Sequence, residues 1–389
     1  MRSKKERYFT LVVFLLILST SLSGCVSEPA DMIGDFLGTF AEDVLQGHEP
    51  YTIDSSQLTI PVVPAQEPFN YEDIPDSRSS FAPGFEISSN YYYTQFYDNS
   101  EGVISIHARN HGENDIFVYE FGLLDTDSGT WYGQETGITL LPNEEKNIGL
   151  ISVNVPDNSD EIDLKLGMSI LVQTSNEQWY EYKDQYFDEF TIDVDKQPEK
   201  QEPEYLYNPK GTFEILNDKV DAYDLEVRKM AAVSAKRYPG QYNIYQLCSL
   251  FDDTRNNIQY ISDPRGNDLW SPPCDTLRVG AGDCDDYAIL LSSLIESIGG
   301  TSRIYLTDTH AFTAVYIGDE ENTSAIVEAI GNYYGPLPVY YTTDEYGSWL
   351  MLDPTSNVYP GGLPGGTAPT DNGWTFLNTT KVVVIDIAP

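Results

Sequence analysis

The run Gly280-Ala-Gly-Asp-Cys-Asp-Asp-Tyr-Ala288 constrains this chain more than any other stretch. A glycine-rich turn gives way there to apolar residues at helical spacing: Tyr287, Ala288, Leu291, Leu294, Ile295 and Ile298, closed by Gly299-Gly300. So apolar a segment packs inside a domain, and the spacing predicts a buried helix starting at 284 with Asp283 as its N-cap. Cys284 falls in the first turn, where unpaired N–H groups and the positive end of the helix dipole favour a thiolate. The carboxylates of Asp283, Asp285 and Asp286 oppose it. If they point to solvent, screening leaves a direct thiolate–imidazolium contact dominant.

Two further pieces supply the partners such a thiol needs. His310 opens the β-rich run Thr309-His-Ala-Phe-Thr-Ala-Val-Tyr-Ile317, which follows the strand-like Ser302–Thr307. Asp353 ends Ser348-Trp-Leu-Met-Leu-Asp-Pro354, where the proline stops a short apolar strand. A cysteine, a histidine and an aspartate on neighbouring elements make a nucleophile, a base and an orienting group. The remaining histidines, His48, His107 and His111, lie in segments without a thiol.

These pieces, Gly282-Asp-Cys-Asp-Asp-Tyr-Ala288, then His310-Ala-Phe-Thr-Ala-Val315, then Trp349-Leu-Met-Leu-Asp-Pro-Thr355, resemble the transglutaminase-like superfamily of papain-related cysteine enzymes. The lead-in Asp263-Pro-Arg-Gly-Asn-Asp-Leu-Trp-Ser-Pro-Pro273 is similar to that of microbial members. The resemblance covers roughly residues 205–360. It implies an α+β, papain-like catalytic domain with Cys284 as nucleophile, His310 as general base and acid, and Asp353 orienting the imidazole. The implied activity is acyl transfer from an amide through a thioester. Hydrolysis of a protein or peptide substrate is the first expectation and protein crosslinking the second. A non-catalytic surface-binding scaffold is the alternative of another class. Trp270 is a candidate to donate its indole N–H to the oxyanion beside the Cys284 backbone N–H, with hydrophobic packing as its other role.

The chain opens with Arg2, Lys4, Lys5 and Arg7, a short apolar stretch from Tyr8 to Leu18, and Leu22-Ser-Gly-Cys25. That pattern reads as a secretory signal over 1–25, too short to span a bilayer, with Cys25 in a lipobox-like position for lipid attachment. The expected address is extracytoplasmic, on the cell membrane through the lipid. A net charge of −39 repels phosphate backbones, which excludes nucleic acid as a natural partner. With Cys25 and Cys284 assigned, Cys248 and Cys274 could form one disulfide or stay two separate thiols. No Cys/His spacing suits zinc, and no cofactor is expected, although the aspartates around Cys284 could hold calcium.

Residues 26–85 read as a tether and stalk, with one amphipathic helix candidate at 31–46. From 86 to 195 short β runs alternate with turn signals, the pattern of an all-β immunoglobulin-like sandwich. The runs include 91–97, 102–108, 116–124, 145–153, 165–174 and 187–194. A charged, proline-bearing linker spans 196–204. The catalytic domain follows over 205–389, with helices at 218–238, 242–256 and 284–298, then several strands.

Overall fold

The computed structural model describes residues 57–62, 71–263 and 269–388. The signal over 1–25 with Cys25, and the helix candidate at 31–46, lie outside these residues. No helix among the described residues is long and apolar enough to cross a membrane.

Eight strands form the N-terminal unit: β1 (Ile87–Tyr93), β2 (Phe96–Tyr97), β3 (Ser100–Asn110), β4 (Ile116–Asp125), β5 (Trp131–Leu140), β6 (Glu145–Val155), β7 (Glu161–Gln173) and β8 (Trp179–Asp195). They make two sheets, ordered β1-β3-β6 and β2-β8-β7-β4-β5. Alternate residues such as Ile104 and Ile106 of β3 and Leu164, Leu166 and Met168 of β7 point into one shared core. The unit is an all-β, immunoglobulin-like sandwich. β5 lacks the apolar alternation that marks its neighbours, because it lies at a sheet edge and is only partly covered, so its sequence carries no strong strand signal.

The second unit contains β9 (Glu204–Tyr207), α1 (Thr212–Lys219), α2 (Leu225–Ala235), α3 (Ile244–Asn257), β10 (Gln259–Tyr260), α4 (Pro273–Val279), β11 (Ala281–Gly282) and α5 (Cys284–Ser297). There follow β12 (Ser302–Leu306), β13 (Ala311–Gly318), α6 (Glu320–Tyr334), β14 (Tyr341–Asp344), β15 (Gly347–Leu352), β16 (Thr367–Thr370), β17 (Gly373–Phe376) and β18 (Lys381–Asp386). The main sheet runs β14-β15-β13-β12-β18-β9, antiparallel except for the parallel β9–β18 pair. Helix α5 packs against it with α1, α3 and α6, and α2 packs on α3 and α5 rather than on the sheet.

Several boundaries differ from the sequence reading. The expected helix at 218–238 is shorter and starts later: α1 is an earlier helix that ends at Lys219, and the Asp224 carboxylate caps α2 (Leu225–Ala235) by accepting from the N–H groups of Glu226 and Val227 at 2.8 and 3.1 Å. Helix α6 interrupts the expected run of strands, started by Asp319, which accepts from Asn322 N. The linker is fastened at both ends. Gln197 N donates to Asp98 and Gln201 N to Thr375, and Glu204 already belongs to the sheet.

The stalk also contributes to the second unit. Leu58 is 1% exposed and packs with Ile244, Phe251, Ile317 and Ile330. Thr59 exchanges backbone hydrogen bonds with Tyr242 and Ile244. The outer face of the three-stranded sheet meets the second unit through Val103 and Leu150, which pack on Tyr334, Leu337 and Tyr359.

Candidate active site

Three local structures set the site. Residues 259–261 strap the turn before the cysteine, with Gln259 N bonded to Gly280 O and Ile261 N to Gly282 O. Gly280, at φ +70°, ends α4 in the left-handed region, where glycine alone is unstrained. The chain then enters α5 at Cys284, as the spacing predicts. Helix α5 lies on the sheet through Ala288 and Ile289, packed with Ile304, Leu306 and Ala311, and Thr313 Oγ1 donates to Ala288 O.

His310 immediately precedes β13. Its turn is closed by Thr307, which accepts from His310 N through Oγ1 and donates its own N–H to His310 O. Asp353 immediately follows β15, paired with β13. The structure brings all three expected residues together. His310 Nε2 lies 2.6 Å from Asp353 Oδ2, and the Cys284 side chain lies beside the ring, near enough to help raise its pKa. With Nε2 engaged by the carboxylate, Nδ1 is the nitrogen available to the sulfur.

Asp353 is 2% exposed and richly solvated by donors. Its Oδ1 accepts from Thr355 N, Thr355 Oγ1 and Ser356 N, and its Oδ2 from Gly365 N. Burial alone would raise its pKa, but His310 and these donors hold it down at about 2. Burial likewise disfavours the imidazolium, yet the charge and hydrogen bond of Asp353, with the Cys284 sulfur, lift His310 to about 10. The pair is therefore an imidazolium held by a carboxylate across neutral pH. Thr355 closes the Trp349–Thr355 motif with no role given to it there, and Ser356 and Gly365, the other donors to this carboxylate, lie beyond that motif. Asp-Pro-Thr-Ser, a carboxylate with hydroxyl residues two and three places on, is the signal that identifies the first two.

The acids around the thiol differ from expectation. Asp283, Asp285 and Asp286 are 8%, 7% and 5% exposed rather than directed at solvent, because the 259–263 and 269–272 segments cover them. Asp283 occupies the N-cap position without capping; its Oδ2 accepts from Asp263 N instead. Asp286 Oδ1 accepts from Ser271 N. Burial, and then the hydrogen bond to Asp283, push Asp285 well above the carboxylate range, so it holds a proton at neutral pH. Proton retention on Asp285, rather than screening by solvent, takes that carboxyl's repulsion away from the sulfur. The three carboxylates place oxygens within 4.8 Å of one another, and Asp283 Oδ1 and Asp285 Oδ2 accept no protein hydrogen bond. Hard-cation chemistry suits that donor set, which falls short of the six to eight oxygens calcium takes.

Trp270 is half-buried in the same apolar cluster as Cys284, beside Leu306 and Ala311. Its indole N–H makes no hydrogen bond among the described residues. No disulfide joins Cys248 to Cys274. Cys248 is sealed in the core between α3 and the sheet, while Cys274 lies in the first turn of the short helix α4, and both are free thiols. His107 and His111 sit in the sandwich, away from the site.

Residues 231–354 match the family model of the transglutaminase-like superfamily. The second unit carries a transglutaminase-like domain. That match spans Cys284, His310 and Asp353 alike. No curated protein matches the sequence. Among solved structures, a candidate cysteine protease from Cytophaga hutchinsonii is 13% identical over 78% of this chain and 91% of its own, with a TM-score of 0.25. A candidate protease from Parabacteroides distasonis ATCC 8503 is 11% identical over 58% and 65%, with a TM-score of 0.24. The CARDB domain of a Pyrococcus furiosus protein, solved in complex with di-metal ions, is 13% identical over 28% and 88%, with a TM-score of 0.18.

Proposed function

We propose that this protein is a cysteine-dependent amide hydrolase, carried outside the cytoplasm by its leader and anchored by lipid on Cys25. The observation that supports the chemistry is His310 held between the Cys284 sulfur and the Asp353 carboxylate. In this reading the Cys284 thiolate attacks the carbonyl carbon of an amide. His310 gives its proton to the leaving nitrogen as the C–N bond breaks, leaving a thioester and a free amine. The neutral ring then takes a proton from water, and hydroxide attack on the thioester releases a carboxylic acid and restores the thiolate–imidazolium pair. Asp353 keeps the ring oriented throughout. Donors for the oxyanion come from the first turn of α5, whose N–H groups no capping side chain occupies.

Intact-mass analysis after incubation with peptide amides tests this. Wild-type protein gains the mass of an acyl group on Cys284, and a folded Cys284→Ala variant gains none. Cleavage by Cys284→Ala would refute the assignment. Adding a primary amine tells hydrolysis from crosslinking, since an amide of that amine among the products marks transfer to lysine-like acceptors. For the anchor, a mass shift of diacylglycerol size on the peptide beginning at Cys25 is expected.

A further inference from the structure

A cavity of about 110 Å³ opens where the sandwich meets the transglutaminase-like domain. Pockets that enclose whole small molecules run to roughly 300–1,000 Å³, so this one admits a single side chain. Tyr92, Tyr93 and Thr94 line it from the end of β1, Arg255 from α3, and Thr355 and Ser356 from the turn after Asp353. No carboxylate lines it, in a chain with 61 acids against 22 basic residues. Arg255 makes no ion pair or hydrogen bond among the described residues, and the hydroxyls of Thr94 and Ser356 donate none.

We infer that this cavity is a substrate subsite that binds the carboxylate of an acidic side chain, a glutamate or aspartate close to the amide under attack. The inference deepens the hydrolase reading and rests on it. A guanidinium offers two parallel N–H donors matched to a carboxylate, and the two free hydroxyls can supply more. Half-exposed Tyr92 and Tyr93 give the apolar walls against which the methylene stem packs. The location ties the subsite to the chemistry. Thr355 and Ser356 also donate to Asp353, and a Cβ built on Gly365 would lie 2.6 Å from Ser356 Oγ and 3.0 Å from His310 Nε2. The surrounding negative field repels acidic peptides, so a local cation is what lets one dock.

The test uses the full chain as Cys284→Ala, which binds without turnover, and fluorescein-labelled decapeptide pairs that differ only by Glu or Gln at successive positions. One position should show the Glu peptide binding on the order of tenfold tighter than its Gln twin at low salt. The gap should close in 1 M salt and in Arg255→Gln, and persist in part in Arg255→Lys, with the melting temperature unchanged as a folding control. Equal binding of Glu and Gln peptides, a gap that survives Arg255→Gln, or selection of phosphoserine over glutamate would overturn the subsite. Iodoacetamide labelling of wild-type Cys284 separates the two readings. Fast labelling without a Glu–Gln gap removes the subsite alone; an Arg255-dependent gap on an inert Cys284 keeps the subsite and removes the hydrolase.

Discussion

Asp353 Oδ2 stands between two donors, the His310 ring at 2.6 Å and the Gly365 backbone N–H at 2.9 Å. The carboxylate that charges the imidazole is thus itself fixed by the loop running from 353 to 365, so the loop sets the ring's orientation.

Asp353→Asn removes the charge that keeps His310 protonated. Acyl-enzyme formation should fall by about 10²- to 10⁴-fold. In the wild type the alkaline limb of the rate profile should lie near 10, where His310 loses its proton. In the variant that limb should move toward 6.5, the value of an unassisted imidazole. A limb left in place would show that another group holds the proton.

Gly365→Ala acts on the same ring by contact. The added methyl would press on Ser356 Oγ and on His310 Nε2. Displacing the ring by a fraction of an ångström should cost up to about 10²-fold in rate while the melting temperature changes little. Stopped-flow measurement of thioester formation checks it; wild-type rates would mean the loop yields freely.

Stability should fall as pH rises. Burial lifts Asp252 from 3.8 to about 6, and Asp285 and Asp286 upward from the same value, so the folded chain binds more protons than the unfolded one above 3.8. His310, lifted from 6.5 to about 10, adds stability that is complete below 6.5 and lost as pH rises through about 10. Both slopes share one sign. The melting temperature should be several degrees higher at pH 5 than at pH 9, about 2–4 °C for each kcal/mol. Asp285→Asn should flatten the slope by removing one proton site. Calorimetry across that range reads the sign directly, and a midpoint that climbs with pH contradicts it.

Leu58→Ala empties a fully buried position in the transglutaminase-like domain from a residue far upstream of it. The expected cost is about 2–5 kcal/mol, as for other buried leucines. A chain starting at 71 should lose at least as much. Urea titration of both proteins decides whether the 57–60 segment is structural.

The site was readable because its chemistry follows chain landmarks. Cys284 opens a helix with strong apolar periodicity, and His310 and Asp353 each abut a strand whose residues alternate or run apolar. What escaped notice depends on tertiary contact. Nothing in Asp285 itself says that 259–263 will cover it, and Leu58 sits in a segment without periodicity. The late start of α2 at 225 was written in Asp224, a capping residue inside an otherwise continuous pattern. β5 escaped because Trp131–Leu140 mixes glycine and polar residues on an edge where little is buried.

Strand β9 enters the second unit beside β18, by which the chain leaves it, and the two run in the same direction. Pulling residue 204 and the C-terminus apart therefore loads every rung of that ladder together, in shear, rather than peeling the rungs one at a time. A domain so built resists stretching between those two strands far better than its thermodynamic stability alone would suggest.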